Sequence, residues 1–157
     1  DIGPHIQRYF KAAAMAEVGR SAEHAKVLGY LRERDTIVMN RYELLHVAKA
    51  QVRALADSGY RPPLKQNAIP VAGRNAIGTI KAFMVNLLEG GHISEHDYLI
   101  GSKVATVMCG GEVETGSLVD EQWLLDLERS HFMDLLATEK TQARIEHMLK
   151  TGKPLRN

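Results

Sequence analysis

The sequence contains one cysteine, Cys109, among its 157 residues, so no disulfide can form within the chain. A lone thiol is typical of proteins in a reducing compartment, and we therefore expect a cytoplasmic location. The chain also has no large excess of positive or negative side chains, since 20 basic and 19 acidic side chains leave a net charge of +1. That balance gives no field that would attract nucleic acid or anionic lipid, so we expect no nucleic-acid partner.

Long apolar runs are lacking too. None approaches the ~18 residues of a membrane span, and the N-terminus has no basic-then-apolar targeting pattern. We therefore expect no membrane span.

The motifs that carry common chemistry are missing as well. The sequence has no G-x-G-x-x-G fingerprint, phosphate loop, nucleophile elbow or Cys-x-x-Cys pair. Gly90-Gly91 and Gly110-Gly111 each follow an apolar helical run, which predicts helix ends rather than phosphate cradles. We assign no catalytic, cofactor-binding or metal-binding residue to this chain, and we expect it to be inactive by itself.

What the sequence does contain is helical periodicity, which predicts an all-α fold. Ser21 as N-cap and Gly29 as terminator bound a short helix, and capping boxes are predicted at Asn40–Glu43 and Ser94–Asp97. The predicted helices cover about 4–18, 21–28, 40–57, 75–88, 94–108, 120–136 and 141–150.

An apolar stripe and a stiff break divide the chain. The helix after Asn40 carries its apolar side chains on one face, namely Leu44, Leu45, Ala48, Val52 and Leu55. Arg61-Pro62-Pro63 then breaks the helix, and residues 64–73 are predicted to be an extended connector in which Pro70 argues against a central strand. We place a domain boundary at residues 58–73.

Several short motifs resemble one bacterial family. The stretch Ser21–Leu31, with its small-residue helix that ends at Gly29, resembles the last third of a crotonase-like (enoyl-CoA hydratase/isomerase) domain. The later motifs resemble the long bacterial 3-hydroxyacyl-CoA dehydrogenases, which place a crotonase-like part after an NAD-dependent dehydrogenase. These motifs are Tyr60-Arg61-Pro62-Pro63, Ile93-Ser94-Glu95-His96-Asp97, Cys109-Gly110-Gly111, 121–128 and 145–157.

The resemblance implies an organisation and a function. Residues 1–59 would be the C-terminal helices of a crotonase-like domain, and residues 60–157 a family-specific helical tail domain. The larger protein would act in fatty-acid β-oxidation on acyl-CoA with NAD, while this chain closes the acyl-CoA site and makes subunit contacts in a homo-oligomer. The chain begins at Asp1 within a predicted helix, so we expect it to be the end of such an enzyme.

A di-metal helical bundle is the alternative from another class, because Glu-x-x-His occurs twice. Glu43 and His46 fall opposite the apolar stripe of their helix, whereas Glu128 and His131 share a face with Leu124 and Leu135. One inward pair cannot hold two metals, so we expect Glu128 and His131 to form a polar pair at a packing surface.

The histidines His92 and His96 and the tryptophan Trp123 are expected to have structural roles. His92 and His96 are four residues apart, but Ser94 separates them as a helix cap, which predicts an N-terminal helical turn rather than a metal site. Trp123 is expected to be a core or interface anchor.

A stand-alone helical interaction module is the remaining alternative. The two hypotheses differ at the first helix. A severed enzyme end would leave Ile6, Phe10, Ala13 and Met15 bare and prone to self-association, whereas a self-contained module would cover them with the tail.

Overall fold

Seven α-helices dominate the computed structural model, which describes residues 3–157. Asp1 and Ile2 lie outside the described residues, although the predicted domain 1–59 includes them. The all-α prediction is confirmed. The elements are α1 (Gly3–Ala14), α2 (Ala22–Leu28), a 3₁₀ turn (Arg41–Glu43), α3 (Leu44–Asp57), β1 (Ile69–Pro70), α4 (Gly73–Glu89), α5 (Glu95–Met108), β2 (Leu118–Val119), α6 (Glu121–Leu136) and α7 (Glu139–Thr151).

The described chain divides into two compact units. Residues 3–16 and 65–157 form one, which we call the core unit, and residues 17–64 form the other, which we call the insert. The break at residue 64 falls inside the predicted boundary at 58–73. However, α1 belongs with the unit formed by the predicted tail. The assignment of residues 1–59 to a crotonase-like domain stays a prediction.

The centre of the core unit lies where α4 packs against α5. Ile77, Ile80 and Met84 lie three and four residues apart on α4, so they share one face, and all three are buried there. Ile77 is 2% exposed. The complete buried cluster is Phe10, Ala72, Ile77, Ile80, Met84, Ala105 and Cys109.

Helix α1 covers part of this core. Phe10 is 6% exposed and belongs to the buried cluster, and Ile6 packs against it. The expectation that Phe10 lacks neighbours is therefore wrong, because the tail residues fold over it. The helix also ends at Ala14 rather than at Val18, since Ala16 adopts a left-handed φ of 50° that a continuing helix does not allow.

A two-stranded ribbon closes one side of the core unit and was not predicted. Ile69 and Pro70 pair antiparallel with Val119 and Leu118. Each strand of a two-stranded sheet is an edge, so Pro70 is tolerated although it cannot donate a ladder hydrogen bond.

The entry to α4 requires a glycine. Gly73 has a φ of +66°, and a Cβ at this position would lie 2.3 Å from the Val113 carbonyl oxygen. Its N–H donates to the Cys109 carbonyl at 2.8 Å, which ties the start of α4 to the end of α5.

Capping residues set the remaining helix starts. The capping box at the start of α5 is confirmed, with Ser94 accepting from the Asp97 N–H and Asp97 accepting from the Ser94 N–H, both at 3.1 Å. Asp120 caps α6 through the Trp123 N–H at 2.7 Å. Thr138 caps α7, which starts two residues before the predicted Thr141.

The insert contains α2, the 3₁₀ turn and α3. Ser21 caps α2 and Gly29 ends it in the left-handed region at φ 86°, as predicted. Asn40 instead caps the 3₁₀ turn through the Tyr42 N–H at 3.0 Å, so α3 begins only at Leu44. No residue of the insert is buried, and the apolar stripe of α3 is exposed.

Within residues 3–157, every helix is too short or too polar to cross a lipid bilayer.

Candidate functional site

The core unit contains an apolar groove of about 930 Å³, which we call the interhelix groove. Helices α4 and α5 form its floor, α1 forms one wall, and α7 with residues 154–156 forms another. Phe10 of α1 and Met84 of α4 are buried, whereas large apolar side chains at the rim stay accessible. The rim residues are Met15, Phe83 and Met148.

Charged side chains cluster at one end of the interhelix groove. The Asp97 carboxylate lies 2.7 Å from an Arg144 guanidinium nitrogen and 3.7 Å from one of Arg156. Arg144 also donates to the Asn157 side-chain oxygen at 2.8 Å, which fixes the last residues against α7. Burial alone would raise the pKa of Asp97, but hydrogen bonds from Arg144 and Ser94 outweigh it and lower that pKa.

Asp97 therefore serves two structures at once. It completes the capping box at the start of α5 and anchors Arg144 of α7 beside the groove. The sequence predicted the first role and missed the second, because Asp97 and Arg144 are 47 residues apart.

His96 is a buried structural histidine. It is 5% exposed, and its Nε2 lies 3.0 Å from the Thr141 hydroxyl on α7. Burial, followed by the positive charges of Arg144 and Lys140, lowers the pKa of His96. The neutral imidazole thus links α5 to α7, while His92 is exposed.

The expected pairing of Glu128 with His131 is wrong. His131 does turn inward, but Glu128 is exposed, because the α6 face that packs runs through Leu124, Leu127, His131 and Leu135. The partner of His131 is Lys103 of α5, whose Nζ lies 3.3 Å from His131 Nδ1 and 2.7 Å from Asp134 Oδ2. Burial, followed by the charge of Lys103, lowers the pKa of His131.

The other candidates from the sequence do not converge. Glu43 and His46 are exposed in the insert, as expected for the polar face of their helix. Over residues 3–157, no three side chains of His, Cys, Asp or Glu type lie together as a metal ion would require. Trp123 is half-exposed, and its indole N–H donates to the Gly110 carbonyl at 3.0 Å.

These observations define a class of structure: an all-α unit that carries an open apolar groove with a charged end. Such a surface offers contact area and positive charge, so it is suited to binding.

Comparison with known proteins found a similar bacterial protein. The chain is similar to a protein of Bacillus subtilis (strain 168) described as a probable 3-hydroxyacyl-CoA dehydrogenase. The two are 42% identical over 148 residues, which is 94% of this chain and 19% of the relative. The chain thus spans about a fifth of the length of that relative. This similarity of sequence confirms the predicted resemblance to a 3-hydroxyacyl-CoA dehydrogenase.

No protein-family model matches the chain. No solved structure matches it either.

Proposed function

We propose that this chain is a non-catalytic helical part of an NAD-dependent 3-hydroxyacyl-CoA dehydrogenase of fatty-acid β-oxidation. The observation that carries the proposal is the 42% identity along 94% of the chain. The larger protein binds NAD and oxidises a 3-hydroxyacyl-CoA. This chain supplies helices that close the acyl-CoA site and contact other subunits.

The finer assignment concerns the two segments. We propose that residues 1–59 are the closing helices of a crotonase-like region and that residues 60–157 are a tail domain. The Ser21 and Gly29 caps support the first part, because they produce the short α2 that the resemblance requires. A reducing, cytoplasmic setting is also proposed, since Cys109 is buried and has no second cysteine to pair with.

A segment exchange tests the function. The aligned stretch of the Bacillus subtilis relative is replaced by the matching residues of this chain, and NADH formation from a 3-hydroxyacyl-CoA is followed by absorbance. We expect the chimera to be at most about tenfold less active than the unexchanged relative. A tenfold loss corresponds to about 1.4 kcal/mol of transition-state stabilisation. The control is the relative without this stretch, which should lose activity. A chimera of native mass and helicity that forms no NADH would contradict the proposal.

The isolated chain gives a second check. We expect no hydration of an enoyl-CoA and no tight NAD binding by the 157-residue chain, because its sequence contains no dinucleotide fingerprint. Turnover of crotonyl-CoA by the purified chain that is absent from the same preparation of an empty expression host would show that the chain itself is catalytic and would contradict this part of the proposal.

Subunit contacts are part of the proposal, but the surface differs from the one first expected. Phe10 is covered, so Phe10→Asp should unfold the core unit rather than dissociate an oligomer. Exposed apolar side chains are available instead on α3, where Val52 is 65% exposed. Light scattering should show a homo-oligomer that Val52→Asp reduces to a monomer. A wild-type monomer at micromolar concentration would contradict this part.

A stand-alone interaction module is the second candidate. The tail folding over Phe10 favours it, since the core unit then buries its own apolar cluster. The segment exchange separates the two candidates, because a stand-alone module would not support dehydrogenase activity in the chimera.

A further inference from the structure

The interhelix groove is apolar, and large side chains at its rim are exposed to solvent. We propose that it is the docking site of an amphipathic helix, presented by a partner segment, whose apolar stripe is flanked by acidic side chains. This inference concerns the isolated core unit and does not depend on the proposed enzymatic function.

The exposure of the rim favours a macromolecular occupant over a small molecule. Met15, Phe83 and Met148 are 66%, 58% and 45% exposed, although they line the same groove as the buried Phe10 and Met84. A small-molecule site buries about 70–90% of its ligand, so a groove with such an exposed rim favours a larger occupant. Open apolar surfaces between helices are instead typical of helix-in-groove recognition.

The size of the groove fits a helix. A cylinder of about 10 Å diameter that fills about 930 Å³ is about 12 Å long, which corresponds to about two helical turns. The floor of the groove is built from two helices, and its walls from a third and a fourth, so a further helix would pack against α1, α4, α5 and α7 in ordinary bundle fashion. Three methionines, Met15, Met84 and Met148, line it and can adapt to the side chains of a partner.

The charges of the groove select an acidic partner. Its lining includes three cationic side chains, Lys11, Arg144 and Arg156, and one anionic side chain, Asp97. Arg144 and Arg156 already share Asp97, at 2.7 and 3.7 Å, so the single carboxylate does not balance the three cations. Glutamates beside the apolar stripe of a docked helix would complement this positive excess, whereas the lysines of a basic helix would be repelled by it.

Two designed peptides test the proposal with the 157-residue chain. Both are about 14 residues long and carry the same leucine stripe at helical spacing, and they differ only in having glutamate or lysine beside that stripe. Fluorescence anisotropy should show that the acidic peptide binds at least about tenfold more tightly and that added salt weakens its binding. Equal binding of both peptides, or binding of neither, would overturn the proposal.

Matched variants locate the binding surface. Phe83→Asp at the groove rim should weaken binding of the acidic peptide at least about tenfold, whereas Phe132→Asp on α6, where Phe132 is 53% exposed outside the groove, should not. Met148→Asp and Leu149→Asp form a second such pair on α7, with only Met148 in the groove. Equal effects within either pair, in variants of unchanged helicity, would place the peptide elsewhere and overturn the proposal.

Acyl-chain occupancy is the competing outcome. Palmitoyl-CoA is added to the labelled acidic peptide complex, with free CoA as the control. We expect no displacement below the micelle-forming concentration. The groove would be assigned to an acyl chain if palmitoyl-CoA binds, Phe83→Asp abolishes that binding, and neither peptide binds. That result would contradict helix docking.

Discussion

The core unit and the insert contain the same kind of amphipathic helix with opposite outcomes. Ile77, Ile80 and Met84 form a stripe on α4 that is completely buried. Leu44, Val52 and Leu55 form a similar stripe on α3 that is exposed. Helical periodicity therefore identifies the face that is suited to packing, but it does not reveal whether the packing partner lies within the same chain.

The difference has an energetic consequence. Burial of apolar surface contributes about 25 cal/mol per Å², and the core unit receives this stabilisation whereas α3 does not. An isolated helix of the length of α3, 14 residues, is marginal in water. The insert therefore depends on local caps and turns, such as Ser21 and the Tyr30 hydroxyl that donates to the Glu17 carbonyl at 2.6 Å.

The largest expected effect comes from the centre of the core unit. Ile77→Ala should lower the free energy of unfolding by about 2–5 kcal/mol, because it leaves a cavity between α4 and α5. Urea denaturation followed by circular dichroism measures the loss. Leu149→Ala, at a side chain 83% exposed, is the control and should change stability by less than about 0.5 kcal/mol. Equal losses in the two variants would remove the distinction between core and surface.

A backbone clash should have the next largest effect. Gly73→Ala should cost about 2–4 kcal/mol, since it combines a left-handed φ with a contact of 2.3 Å to the Val113 carbonyl. Gly116→Ala is the matched control, because Gly116 also has a positive φ, of +84°, but open space around its Cβ position. Thermal denaturation should show that Gly73→Ala is the more damaging. The same midpoint for both variants would mean that the close approach at Gly73 contributes nothing.

Acidification should lower the stability of the core unit through His96, which is buried, and His131, which is partly buried. The pKa of His96 is lowered by burial and by Arg144 and Lys140, against the opposing charge of Asp97. Its contribution to stability is therefore complete above the ordinary pKa of 6.5 and is lost as the pH falls below that value toward the folded pKa. Asp97, whose pKa is lowered from 3.8, loses its contribution only at still lower pH.

The thermal midpoint should accordingly fall between pH about 7.5 and pH about 5. His96→Gln removes the titrating group and keeps a side chain able to bond Thr141, so its midpoint should depend less on pH. Some dependence should remain, because the pKa of His131 is lowered as well. An identical pH profile in His96→Gln would show that His96 is not responsible.

The smallest effect is expected in the insert. Val52→Ser should change the unfolding free energy of the core unit by less than about 0.5 kcal/mol, because Val52 is exposed and no buried cluster includes it. Denaturation monitored by Trp123 fluorescence reports this, since Trp123 is the single tryptophan and lies in the core unit. A loss as large as that of Ile77→Ala would contradict the account of the insert.

Local chemistry predicted much of the fold. Ser21, Ser94 and Gly29 set helix ends through hydrogen bonds to residues within one turn, and such bonds depend on nearby sequence alone. The stripe on α4 was predictable for the same reason. The ribbon of β1 and β2 was not, because its two-residue strands are too short for alternation to be visible.

The candidate site was less predictable, because its contacts are distant in sequence. Arg144 reaches Asp97 across 47 residues, and Lys103 reaches His131 across 28. Glu128 was placed inward by a rotation of 100° per residue, yet the packed face of α6 is narrow and leaves it outside. No pattern within one helix specifies which neighbouring helix will form the opposite wall of a groove.

Amide hydrogen exchange tests the comparison between the two units most directly. The measurement is made by mass spectrometry, at a concentration where light scattering shows a monomer. Amides of α4 and α5 should exchange at least about 100-fold more slowly than those of α3, because opening the core unit breaks its buried cluster whereas opening α3 exposes no buried residue. Protection of α3 equal to that of α4 in the monomer would show that the insert shares the stability of the core unit and would contradict the account.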